Sequence, residues 1–407
     1  MMKSKRLLIV LISILFLGSC NLLDDESNEE GYYSVGTEIN IDYEVITDDV
    51  NMPWQMDFTD DGRIFLTERV GRVRIVENGK LLQKPWLAIE DSVEMPDGQD
   101  LDRAGLQGIA LDPDFENNGY VYIGYAYYNN ENPDLDKNRL VRYIHDEETN
   151  TGKFDKVLIE GIIGDNLHNA ARIKFGPDEK IYWSVGDAFI PERAQDLNNY
   201  SGKILRINAD GTIPDDNPFP GSYIYSYGHR NPQGFDWNPK NGDMFATEHG
   251  PSSGQGCCND EINLIKPGNN YGWPIIRGMQ KREGLETPII DTGVPQGEYD
   301  YFDTQDYTWA PSGAVFIKSG VWKGVYLVAA LRQYLVQIAF DDDYNVVEIN
   351  KFFEREKNNP DYFGRIRSVN QAPDGSIYMI TSNKGRLSVL GETDFIVKIN
   401  VTEVESN

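Results

Sequence analysis

Histidine and cysteine are scarce in this chain, and so is positive charge. Only four histidines and three cysteines occur in 407 residues. Two cysteines are adjacent, Cys257 and Cys258, and no CxxC pair lies near them, which excludes a zinc ribbon or similar cysteine cluster. Lys and Arg number 38 against 65 Asp and Glu, a formal charge of −27. Such a surface repels a phosphate backbone and excludes nucleic acid as a partner. Long apolar runs are missing too. Leu7 to Leu17, interrupted only by Ser13, is too short to cross a bilayer as a helix, which takes about 20 residues. No long helical period follows it.

What is present at the N-terminus is a targeting signal. Lys3, Lys5 and Arg6 precede the apolar run, and Leu17-Gly18-Ser19-Cys20 closes it. This pattern reads as a signal peptide over residues 1–19, and its end resembles a bacterial lipobox. Cys20 is then expected to carry lipid and to anchor the protein to a membrane of the bacterial cell envelope; a plain signal peptide is the alternative. Residues 20–39, with the acidic run Asp24 to Glu30, read as a solvated tether. For Cys257 and Cys258 the neighbouring Cα atoms stand about 3.8 Å apart across a trans peptide. That is below the usual disulfide span of about 4.4–6.8 Å. A strained vicinal disulfide and two free thiols both remain open.

A local pattern recurs six times: a turn residue, then a β-branched or aromatic pair. It appears at Asp61 to Phe65, Asn118 to Tyr122, Asp178 to Tyr182, Asn241 to Phe245, Lys323 to Tyr326 and Asp374 to Tyr378. Each copy reads as a hairpin turn entering a strand. Repeats of roughly 50–60 residues have room for about four short strands each, which predicts an all-β, six-bladed β-propeller over residues 40–403. A jelly roll or β-sandwich does not explain sixfold recurrence. The alternating segments Asn40 to Ile46 and Asp394 to Val401 are expected to pair and close the ring. The longer fourth interval predicts an inserted loop around Met279 to Trp309.

The chemistry concentrates in a turn-rich stretch from Tyr227 to Pro274 and in loops that match it. His145 sits among charges and reads as surface. His229 and His249 fall in the stretch, and His168 precedes the strand ending at Gly186-Asp187. A loop histidine with an aspartate partner is the pairing that general-base chemistry needs. Arg230, Arg332, Arg365 and Arg367 lie at predicted strand ends. In so acidic a chain they suggest a local anion site, since guanidinium forks suit carboxylates. Arg365 and Arg367, two apart on a strand, are expected to share a face. Taken singly, each arginine is better read as a surface ion pair.

Five ordered segments carry a resemblance to the glucose/sorbosone dehydrogenase family: Gly105 to Phe115, His168 to Asp187, Ser201 to Asn208, Tyr227 to Pro274, and Arg365-Ile366-Arg367. The resemblance covers Met52 to Ile399. It implies a six-bladed propeller that oxidises aldoses at the anomeric carbon to lactones, with pyrroloquinoline quinone (PQQ) and Ca2+ as cofactors and a further electron acceptor. By the same resemblance His168 matches the base and Asp187 its carboxylate partner. Arg230 and Asn231 match residues at the quinone's reactive side. Arg365 and Arg367 match the residues that hold its carboxylates, and Arg332 stands at the place of a cofactor-binding lysine. The carbonyls of Gly250 and Pro251 match the ligands of a calcium beside the quinone. Glu261 and the Tyr271 carbonyl match a second, structural calcium site, and oxygen-only sets suit this cation. The chain departs from the pattern at His249, where a cofactor-contacting glutamine is expected, at Arg332, where a lysine is, and before Gly105, where Gln99 is the candidate contact. A non-catalytic carbohydrate- or protein-binding propeller is the competing function. A metal-dependent propeller lactonase is disfavoured by the arginine-rich polar set.

Overall fold

The computed structural model describes residues 32–89, 105–127, 137–165, 167–251, 258–292, 308–354, 361–384 and 393–404, with the backbone of 5–7. Cys20, Gln99 and Cys257 lie outside these residues. The chain forms six antiparallel sheets in sequence order around one axis. The innermost strands are Pro53–Phe58, Leu106–Leu111, Ile173–Phe175, Pro232–Trp237, Pro311–Phe316 and Ile366–Gln371. Helix among the described residues is limited to Phe115–Asn118 and the 3-10 turn Pro191–Gln195.

Each sixfold repeat marks the entry to the second strand of a blade. Gly62, Gly119, Gly242, Gly324 and Gly375 all take positive φ there, and the third blade puts Glu179 (φ 59) in the same role. The ring is closed as the alternating patterns require. Ile39–Val50 pairs antiparallel with Asp394–Glu403, with Tyr43 opposite Ile399 and Val45 opposite Val397. It thereby becomes an outer strand of the blade that begins at Ile366. Lys5–Leu7 adds a short edge strand along Ile41–Tyr43. The end of the segment read as a tether packs on the fifth blade: the Tyr33 hydroxyl donates to Glu348 (3.1 Å) and Lys323 lies over the Tyr32 ring.

The core is a ring of apolar wedges, one at each blade–blade interface. Phe65, Val73 and Ile75 of the first blade pack with Ile109, Val121 and Ile123 of the second. Trp183 and Leu205 meet Tyr122 and Leu140, and Phe245 meets Phe316, Tyr326 and Val336. His145 belongs to this core and not to the surface. Its strand alternates inward and outward, and His145 falls inward among Phe65, Trp86 and Phe115. The Trp86 indole donates to its Nδ1 (2.7 Å), while the acidic residues after it occupy the turn.

Five of the six innermost strands slip register near their start, at Pro53/Met56, Leu106/Gly108, Pro232/Gly234, Pro311/Ala314 and Ile366/Ser368. A bulge re-aims the extra residue. Here the bulges bring buried polar groups, among them Gln55, Gln107, Gln233, Ser312 and Arg367, to the axis beneath one face of the ring. That face carries the candidate site.

Candidate active site

Two loops of the third blade bring His168 to Asp187. The imidazole Nδ1 lies 2.7 Å from Asp187 Oδ1. The same carboxylate accepts the Phe189 N–H at Oδ1 (3.0 Å) and the Trp273 indole N–H at Oδ2 (2.8 Å). A carboxylate can only accept here, so Nδ1 carries the proton and the lone pair sits on Nε2. Burial lowers the His168 pKa below the ordinary imidazole value; the Asp187 hydrogen bond opposes this and the Arg230 charge adds to it. His168 is therefore neutral and basic at Nε2 near neutral pH. The loops achieve this with strained backbone: His168, Ala170, Ala171, Ala188 and Phe189 all have positive φ, each costing on the order of 1–3 kcal/mol. Gly186 is required between them, since a Cβ there would stand 1.9 Å from the His168 carbonyl. The Phe189 ring lies 4.7 Å from the imidazole, and Phe189 is exposed, as are Leu167 and Ile190 in the same loops.

The arginines converge on the same face. Arg230 is buried, stands 5.5 Å over the Trp273 ring and donates to the His249 carbonyl (3.1 Å). Its backbone N–H is held by Glu248, and its carbonyl accepts the Asp187 N–H (2.8 Å). Asn231 Oδ1 accepts from Gln233 (3.0 Å). Arg365 is half-buried at the entry of the sixth inner strand, with Nη1 at the Leu331 carbonyl (3.5 Å), which places it beside Arg332. Arg332 itself is anchored through its backbone N–H to Trp309 (3.2 Å). Arg367 is buried at the bulge, so simple alternation with Arg365 is broken. The two still act on each other: burial pushes the Arg367 pKa well down, and Arg365 pushes it further. His249 is partly exposed as a residue, but its Nε2 is covered and has no hydrogen-bond partner among the described residues. Burial pushes its pKa down to about 4.

Gly250 and Pro251 follow directly. Asp260 fixes this turn by accepting the Gly250 N–H (2.9 Å), and it ties the turn to the fifth blade through Thr308 and the Ala310 N–H (2.8 Å). Glu261 is half-buried and, among the described residues, accepts from neutral donors, the Gly278 N–H (2.8 Å) and Asn263 (3.2 Å). Burial and the nearby Glu248 push its pKa up to about 8. Tyr271 stacks on His229 (4.7 Å) and donates its hydroxyl to the Leu264 carbonyl (2.6 Å). His229 bridges Ser226 and Glu248 at 2.9 Å each and is a buried structural group. Cys258 is disulfide-bonded.

The structure thus gathers His168, Asp187, Arg230, Asn231, His249, Gly250, Arg365 and Arg367 on one face, with Arg332 at its edge. Glu261 and Tyr271 lie behind the Gly250 turn, across Asp260. Sequence reasoning assigned no role to Trp273, Asp260, Gln233 or Arg172. Trp273 meets Asp187 across 86 residues of chain, a distance no local pattern bridges. Arg172 offered a signal: it follows His168 by four residues into a strand where an arginine would be buried.

The family model described as glucose/sorbosone dehydrogenase matches residues 50–389. Quinoprotein glucose dehydrogenase B of Acinetobacter calcoaceticus is 31% identical, over 93% of this chain and 93% of its own length. Aldose sugar dehydrogenase of Escherichia coli is 29% identical over 84% of this chain and 90% of its own. The PQQ-bound structure of aldose sugar dehydrogenase from Streptomyces coelicolor superposes with a TM-score of 0.73 at 29% identity. It covers 90% of this chain and 99% of that one.

Proposed function

Because the chain belongs to the glucose/sorbosone dehydrogenase family, we propose that it oxidises aldoses at the anomeric carbon with PQQ and calcium. The carrying observation is the His168–Asp187 pair at 2.7 Å beside a buried arginine group. The residues fit the cofactor. Arg367 is buried with no carboxylate partner among the described residues, and His249 Nε2 is a covered, unpartnered polar atom; both suit an anion-bearing quinone. Arg230, Asn231, Arg332, Arg365, Arg367 and His249 would hold it. The carbonyls of Gly250 and Pro251 would hold its calcium, and Glu261 with the Tyr271 carbonyl a second one. Glu261 fits a hard cation because it is a half-buried carboxylate beside Glu248 and Asp291, with neutral donors on it among the described residues.

When bound, the quinone supplies an electrophile that accepts a hydride equivalent from the sugar. The chain's own groups do the rest. His168 Nε2 takes the proton of the anomeric hydroxyl. Asp187 holds the ring through Nδ1 and stabilises the imidazolium that forms. Trp273 and the Phe189 N–H keep the carboxylate from rotating. Lactone is the product, and electrons leave to a separate acceptor. Lipid on Cys20 would keep the protein at an envelope membrane; mass spectrometry of the mature N-terminus decides that point.

The test of function is to add PQQ and calcium to cofactor-free protein and assay dye reduction with a panel of aldoses. Saturable reduction with at least one aldose is expected. A protein that binds the quinone but reduces no dye with any aldose would favour the non-catalytic binding propeller.

A further inference from the structure

Lys203 opens the strand Lys203–Ile207 of the third blade and is fully buried, with no carboxylate paired to it among the described residues. Its ammonium donates instead to three backbone carbonyls, those of Ser201 (2.8 Å), Arg193 (2.9 Å) and Ala194 (3.1 Å). A charged lysine has three N–H groups and no acceptor, so the set uses all of them. Burial pulls the Lys203 pKa down to about 7, and the Asp196 charge opposes this. Two of the three acceptors lie in the 3-10 turn Pro191–Gln195. On one side this turn hangs from Asp187. The Ile190 N–H donates to the Asp187 carbonyl (3.1 Å), the Arg193 N–H to the Ile190 carbonyl (3.1 Å), and Arg193 Nη1 to the Ala188 carbonyl (3.4 Å). On the other side it grips the segment that carries Trp273. Gln195 and Asn270 exchange amide hydrogen bonds (3.0 and 2.8 Å), and Gln195 Nε2 also donates to the Trp273 carbonyl (2.7 Å). The Trp273 indole then returns to Asp187 Oδ2 (2.8 Å). The parts fit closely. A Cβ at Gly202 would stand 2.7 Å from the Ala194 Cα, and one at Gly228 would stand 2.1 Å from Asn270 Oδ1.

We propose that Lys203 is a positioning residue for His168. Through the Pro191–Gln195 turn and the Gln195–Asn270 clasp it sets where the Trp273 indole meets Asp187, and so how that carboxylate faces the imidazole. The inference rests on the reading of His168 as the base. None of the Lys203 hydrogen bonds goes to a residue assigned to the quinone or to calcium. Without the ammonium, the turn loses its tie to the strand, and the indole loses its fixed place on Asp187. The Asp187 charge then falls more fully on His168 and raises its pKa. Water reaching the ring acts in the same direction, because burial is the largest cause that lowers it. The other groups facing the imidazole, Arg230, Asp165 and the His249 ring, are kept in every variant below.

The experiment titrates His168 by NMR in cofactor-free full-length protein carrying isotope-labelled histidine, where only four histidines contribute signals. Lys203→Met removes the three N–H groups and keeps a long buried side chain. Gln195→Met opens the clasp and leaves Lys203 in place. Each is expected to raise the His168 pKa, and the double variant to raise it no further than the larger single change, since both act through one turn. Where Lys203→Met does not fold, Lys203→Gln, which keeps two N–H groups, replaces it. A lower Tm with an unmoved His168 pKa makes Lys203 a structural group only and overturns the proposal. An unmoved pKa in Gln195→Met overturns it as well, because the clasp is the route. Dye reduction with PQQ, calcium and aldose is measured alongside, where kcat should fall several-fold at unchanged quinone affinity. A parent that oxidises no aldose while both changes still move His168 fails the assigned activity and upholds this network. An active parent whose His168 pKa and kcat ignore both changes fails the network and leaves the activity standing.

Discussion

At the residue scale, the functional weight rests on how few groups surround His168. Asp187 is saturated by three donors and holds one tautomer, while burial and Arg230 keep the imidazole neutral. His168→Asn removes the base and leaves the arginines untouched. Turnover is expected to fall by about 10²–10⁴-fold with quinone affinity within a few-fold of the parent, measured by steady-state kinetics and fluorescence titration. Near-normal turnover in the quinone-loaded variant rules out the base assignment. Trp273→Phe isolates the indole N–H. Without it, the Asp187 charge falls more fully on His168 and raises its pKa. A base must be unprotonated to act, so the acid limb of kcat/KM should move to higher pH. The charges facing the imidazole are Asp187, Arg230 and Asp165, with His249 as the neighbouring titratable ring. An acid limb that stays put in a less stable variant would mean that Trp273 only packs.

At the element scale, the recurring turn shows what the backbone demands irrespective of blade. Five copies meet positive φ with glycine, and the third meets it with Glu179. A residue with a Cβ is strained in that conformation. Glu179→Gly is therefore expected to stabilise the protein by about 1 kcal/mol, read as a raised urea midpoint with unchanged m. The bulges form a second recurring device. They occupy corresponding places in five inner strands, and they take residues that would otherwise lie flat in the sheet and turn them to the axis. The strained third-blade loops serve the site instead, and replacing Ala170 or Ala171 to relieve them trades stability against the position of His168.

At the scale of the whole molecule, the ring is only as stable as its closure. Ile39–Val50 is paired with Asp394–Glu403 and buries Ile39, Ile41 and Val50 at two blade interfaces. Three such side chains contribute about 4.5–9 kcal/mol in all, at about 1.5–3 kcal/mol each. That is comparable with the whole stability of a typical domain, about 5–15 kcal/mol. A chain begun at Asn51 should lose its cooperative thermal transition, whereas one begun at Tyr32 should keep it; calorimetry of the two distinguishes closure from a dispensable outer strand. Chelation acts at this scale too. Calcium at Glu261 would neutralise a half-buried carboxylate that Glu248 and Asp291 act on. Excess chelator is expected to lower Tm, and an unchanged Tm would count against that site.

The amino-acid order by itself determined the sixfold turn, the pairing of the chain ends and the residue types of the site. These are local signals: a glycine or its substitute before a β-branched pair, an alternating strand, a short motif of His, Arg and Gly. Periodicity of two is enough to write a blade. What only the tertiary structure decided is which side chains meet across blades. His145 read as surface from its charged neighbours, yet strand alternation turned it into the core against Trp86. Trp273 joined Asp187, and Arg172 reached Trp54, Gln233 and Ser368, all through contacts between blades distant in sequence. The physical reason is that a propeller brings the starts of six separate strands to one axis. Each strand carries its own register shift, and only the closed ring sets which buried donors are satisfied and which are left for a ligand.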